Sequence, residues 1–315
     1  MKRIVGTSRL RFALAPCPGR FFLCAVLLSA SAFPGEDGST RPSGSAPTEE
    51  VLTRAKVLER LREPARKLLA ELETKTGLQV VFQSLPRSSY VIAQYSFDPP
   101  SNTPTVLLRS GWKDADVAHE LTHMQLDLVE GYRVLAWRRD VAHTKELEAA
   151  IGRVRSYVDD QVVHARLARA GYKMDGEVLS PVFFEDICTN IPRYLDEGRA
   201  RPNDGMAHLD KEGYGDLCRS TFLVQMELVV EHYSDSMPAE RLKLVKQFIT
   251  AFRAHRAREA EKADKILALF RRYDVQTLTG HERILKEWSE MEGLDRFVGL
   301  SAYVRRDGKF TLPFP

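Results

Sequence analysis

The sequence predicts a mostly helical α+β protein: a small N-terminal mixed sheet packed on one helix, then a helical subdomain and a C-terminal hairpin. Three observations carry this. Leu78–Gln83, Tyr90–Tyr95 and Thr105–Arg109 are short, β-branched or aromatic, and parted by turn clusters such as Asp98-Pro99-Pro100-Ser101-Asn102. From Asp114 to about Tyr273 the apolar residues recur at helical spacing almost throughout. Near the end, Asp307-Gly308 sits between Phe297–Val304 and Lys309–Phe314, a two-residue hairpin signal.

In chain order, Lys2, Arg3, Arg9, Arg11 and Arg20 precede an apolar or small run, Phe21–Phe33. Thirteen helical residues cover only about 20 Å, short of the ~30 Å of a bilayer core. With Ala30-Ser31-Ala32 as a small-x-small cleavage site, residues 1–32 read as a signal peptide, and a retained anchor is the alternative. The expectation is an exported protein, periplasmic or secreted, with no membrane span after removal of the signal. Lys and Arg total 46 against 43 Asp and Glu, but five of those bases and no acid lie in the first 32 residues. The remainder is close to neutral, without the basic field that nucleic-acid binding needs.

Residues 33–47 are a Pro/Gly/Ser linker. Thr48 suits a helix cap, with Glu49 and Glu50 in the first turn. The stripe Val51, Leu52, Leu58, Leu61, Leu68, Leu69 and Leu72 runs to Gly77, and Pro64 inside it predicts two helices or a kink near Glu63. Ala239–Arg272 reads as an amphipathic helix or helix pair with a solvated charged face. The organisation expected is a catalytic domain over 48–200 and a helical C-terminal part over 201–315. Cys188 and Cys218 remain after the signal and are either one disulfide or two buried thiols.

One pentapeptide carries chemistry: His119-Glu120-Leu121-Thr122-His123, an HExxH pattern. Asp114 is the expected N-cap of its helix and Gly131 the stop, with Val117, Leu121, Met124, Leu128 and Val129 as its apolar stripe. Residues four apart project on one side of a helix, so His119 and His123 can meet one Zn2+ with bonds of about 2.0–2.1 Å. Glu120 points beside that pair, where it can take a proton from a zinc-bound water and pass it to a leaving amine.

The order of elements around this motif resembles the zincin metallopeptidases, in which a helix and strands precede the helix bearing HExxH. The resemblance covers roughly residues 49–200. It implies a zinc-dependent hydrolase acting on peptides or proteins, with an edge strand just before the active helix holding the substrate backbone. Thr105–Arg109 lies where that strand is expected, and Pro104 suits an edge. The competing readings are a secreted binding protein on the same scaffold, without turnover, and a helix whose histidines merely bond to neighbours.

Leu126 and Val129 stand where a metzincin would place Gly and a third His, so the third ligand is expected from a later helix, as in glutamate-type zincins. Within Val154–Gly171, helical angles measured from Val158 put Asp159 beside the buried stripe and Asp160 nearly opposite it. Asp159 is therefore the expected ligand, with Asp160 the alternative. The group's usual ligand is Glu, so an Asp here requires the helix to come about 1–1.5 Å closer. His164, on the other flank, is read as orienting a ligand or bonding the developing oxyanion, with a surface histidine as the alternative. Glu185 and Asp186 are the next acids to consider, and His232 is read as complementing a helix C-terminus.

Overall fold

In the computed structural model, which describes residues 52–86, 89, 92–179 and 215–315, the first helix is opened by Thr53, whose side chain accepts from Lys56 N. That helix, α1 (Arg54–Arg60), and α2 (Glu63–Thr76) part at Pro64, which sits in the first turn of α2 where its missing N–H costs nothing. Gly77, at φ 68°, ends α2 in the left-handed conformation. The signal peptide, the linker, the Thr48 cap, Cys188, Glu185 and Asp186 lie outside the described residues, as does the Cys218 side chain.

Strands β1 (Val81–Ser84), β2 (Ala93–Asp98) and β3 (Thr103–Leu108) form a mixed sheet in the order β1-β3-β2, with β1 parallel and β2 antiparallel to β3. The expected edge strand, Thr105–Arg109, is thus the central one. Pro104 fits there because β1 begins only opposite Thr105, so no ladder bond to it is lost. The edge is β2. Its alternate residues Tyr95 and Phe97 are buried under α3 (Asp114–Gln125) together with Val106 and Leu108.

Lys113, one residue before the expected Asp114, caps α3, and Asp116 Oδ2 accepts its backbone N–H at 2.7 Å. The helix continues as a π-helical segment, Leu126–Glu130, closed by Gly131 at φ 72°. A fourth strand, β4 (Val134–Trp137), then interrupts the expected helical run and pairs with β5 (Val298–Ser301). Four apolar residues in a row carry no alternation to distinguish strand from helix, and the partner lies far along the chain.

Thr144 caps α4 (Lys145–Arg169), whose stripe Leu147, Ile151, Val154, Val158 and Val162 is buried as expected. Then come α5 (Gly215–Tyr233), α6 (Ala239–His255), α7 (Ala257–Arg272) and α8 (Leu278–Met291). The hairpin is narrower than expected: β6 (Val304–Arg306) and β7 (Lys309–Thr311) turn through Asp307 and Gly308 at φ 50° and 77°. Asn102 bonds Gly308 O and Phe310 N, and Phe310 packs on Phe97, so the hairpin closes the sheet's end of the core.

Two cores result. One packs the sheet, α2 and α3 with Val162, Val163 and Leu167 of α4; the other packs Leu147–Val158 of the same helix with β4, β5 and α5–α8. The helix α4 is therefore sheathed by protein on more than one side, and every residue from Val154 to His164 is buried.

Candidate metal centre

The site forms where α3 crosses α4. His119 Nε2 and His123 Nε2 are 3.0 Å apart, as expected for ring nitrogens one helical turn apart turned toward one point. Asp160 Oδ1 completes the triangle, 3.1 Å from His123 Nε2 and 3.3 Å from His119 Nε2. Ligands held about 2.0–2.1 Å from a tetrahedral ion stand roughly 3.3 Å from one another, so these spacings match a metal's first contacts. His164 joins His119 and Asp160 in a group whose ligating atoms all lie within 4.8 Å and which could hold a metal ion. It lies one turn beyond Asp160 and is buried, not a surface residue.

The expected ligand Asp159 faces away from this triangle. Its Oδ1 accepts from His281 Nε2 at 2.7 Å, and its Oδ2 accepts from Arg155 Nε at 3.3 Å and lies 4.0 Å from His123 Nδ1. The helical angles are as expected; what differs is the meaning of the side opposite the stripe. That side of α4 meets α3 instead of water, which moves the candidate ligand to Asp160. His281 gave no signal in the sequence, because a single histidine on a distant helix has no spacing to mark it. His232 is exposed at the end of α5, with its ring against Tyr233.

Glu120 is buried beside the histidines, and its Oε2 accepts the Tyr95 backbone N–H of β2 at 2.7 Å. Burial pushes its carboxyl above the usual range, opposed by the neighbouring His119 and His123. Asp160 is also penalised by burial, yet bonds from His119 and His123 hold it well below the usual range. Its partner His123, despite burial, is raised to about 9 by the Asp160 carboxylate. Burial takes His164 down to about 4, leaving it neutral and able to offer a lone pair at pH 7.

Two buried carboxylates, Asp127 and Asp159, flank the Arg155 guanidinium, which bonds Asp127 Oδ2 from one end and Asp159 from the other, while the buried Asp160 faces the histidines. A divalent cation at the histidines would compensate the buried Asp160 carboxylate, as buried charge requires. The donor set of imidazoles and one carboxylate suits zinc and its first-row neighbours. No family model matches the chain, and neither does any curated protein or solved structure.

Proposed function

We propose that this chain is an exported zinc-dependent peptidase whose metal is held by His119, His123 and Asp160. The observation that carries the reading is the triangle of 3.0–3.3 Å contacts between those three groups, drawn from two helices, with Glu120 beside it. A zinc ion bound there would polarise a carbonyl and acidify a water. Glu120, with Oε2 occupied by Tyr95 N–H, uses its second oxygen to accept the proton of the attacking water and return it to the leaving amine. His164, a member of the group that could hold a metal ion but outside the triangle, serves as a neutral donor to the oxygen that gains charge.

The substrate backbone lies along β2. Ile92 O accepts from Arg109 N, so Ile92 pairs inward and Ala93, Tyr95 and Phe97 turn their backbone groups to the outer edge, where the Tyr95 N–H is taken by Glu120 and the Ala93 and Phe97 groups are left for substrate. Among the described residues no further strand pairs with that edge. Export rests on the signal-like segment at 1–32; none of the described helices is long and apolar enough to cross a membrane.

A second reading, a secreted binding protein with a metal but no turnover, is favoured by the burial of Glu120 and its bond to Tyr95 N–H. In that case His164 closes the coordination as a fourth protein ligand. The two part on one experiment: metal content of the purified protein, followed by a diverse peptide library assayed with and without chelator. Chelator-sensitive cleavage supports the peptidase; stoichiometric metal without cleavage supports the binding protein, and absence of metal removes both.

A further inference from the structure

We propose that Asp159 and His281 position His123 for the metal, which makes the C-terminal helix α8 part of the centre's support. The inference rests on the metal reading above, though not on peptide hydrolysis. His123 uses Nε2 toward Asp160 and His119, so its Nδ1 is the nitrogen turned outward, and Asp159 Oδ2 faces it across 4.0 Å. A carboxylate in that place favours the proton on Nδ1, leaves the Nε2 lone pair for the cation and raises the imidazole's basicity.

Asp159 can do this only if its carboxylate is held. His281 Nε2–H binds Oδ1 at 2.7 Å, and Arg155 Nε–H binds Oδ2 at 3.3 Å. Arg155 is itself anchored by Asp127, one helical turn after His123, in the π-helical segment that follows α3. His281 is held in turn: it is fully buried, Tyr132 packs its ring edge-on at 4.8 Å, and Tyr132 Oη–H bonds Gln276 O in the loop leading into α8. Gln276 Nε2–H reaches back to Gln161 O on α4, so the loop before α8 is tied to the helix that carries Asp159 and Asp160.

Packing alone does not explain a histidine here. With Nε2–H donated to Asp159, Nδ1 is a buried acceptor with no protein partner among the described residues. Such a group carries a desolvation cost that an apolar side chain of similar size would avoid. The hydrogen bond from Nε2–H to Asp159 is what offsets that cost.

The test uses the full chain with Zn2+ alone, titrated against a chromophoric chelator, and the absorption spectrum of the Co2+-loaded protein. His281→Leu removes the donor and should weaken Zn2+ binding about 10–100-fold and shift the Co2+ bands. His281→Gln, whose amide can still donate to Asp159, should restore most of both. If His281→Leu fails to fold, as judged by its metal-free melting curve, the near-isosteric Asp159→Asn should give the same weakening. Wild-type affinity and spectrum in His281→Leu and Asp159→Asn would overturn the positioning role while leaving the metal site standing. A wild-type chain that takes up no metal would overturn both.

Discussion

Glu120 has two oxygens with different work. Oε2 ties α3 to β2 through Tyr95 N–H, and in the proposed peptidase the other takes the proton of the attacking water. In Glu120→Gln the amide oxygen can keep the Tyr95 bond while the proton acceptor is lost. Zinc content should therefore be unchanged and peptide hydrolysis should fall by about 10²–10⁴-fold or more. Undiminished turnover would remove the assigned role. The neighbouring His123 makes metal uptake pH-dependent. Raised to about 9 beside Asp160, it carries a proton at pH 7 in the metal-free protein, whereas Asp160 is already ionised and His164 already neutral. Loading should release about one proton at pH 7, and apparent affinity should climb about tenfold per pH unit until pH 9. The sign for stability is opposite. A raised histidine contributes fully below its unfolded value of 6.5, and that contribution is lost as pH passes 9, so the metal-free protein should melt lower at pH 9.5 than at pH 6. Proton release measured in weakly buffered solution, and melting curves across that range, check both.

At the scale of elements, two glycines make opposite predictions. Gly280 in the first turn of α8 lies against the loop that precedes it: a Cβ there would meet Asp274 O at 1.9 Å, and its own N–H bonds the Thr277 cap. Gly280→Ala should cost about 1–3 kcal/mol in urea unfolding and, by moving His281, should also weaken metal binding. Gly152 lies inside α4 with nothing within 4 Å of its added Cβ, and Gly152→Ala should stabilise by about 0.5–1 kcal/mol. The elements legible in the sequence are those with local signals: the break at Pro64, the stop at Gly77 and the turn at Asp307-Gly308. Between α6 and α7 the chain leaves helical geometry only at Arg256, so Ala239–Arg272 is a helix pair. Strand β4 was not legible, because Val134–Trp137 is buried along its whole length and shows no period.

The molecule is assembled around α4, which contributes Val154 and Val158 to one core and Val162 and Val163 to the other. The metal would bridge α3 to this shared helix, so binding acts as a crosslink between elements that the unfolded chain holds apart. At a free metal concentration one hundred times Kd, the gain is about 2.7 kcal/mol. Chelator should accordingly lower the melting temperature of the wild-type chain by several degrees. In Asp160→Ala the melting temperature should be nearly insensitive to chelator. A metal-dependent shift of full size in that variant would place the third ligand elsewhere.

The sequence by itself determined what helical geometry dictates over one turn. His119 and His123 had to share a face and Glu120 had to stand beside them; an acid from a later helix was what the zincin resemblance implied. The tertiary structure decided which acid. Asp159 and Asp160 differ by 100° around α4, and a single apolar stripe says which side packs only when the opposite side meets water. Here that opposite side meets α3, so Asp160 reaches the histidines and Asp159 turns to His281 and Arg155. The edge strand was decided the same way. Strand order depends on which neighbour arrives on each side of β3, a long-range choice that the residues of β3 do not encode.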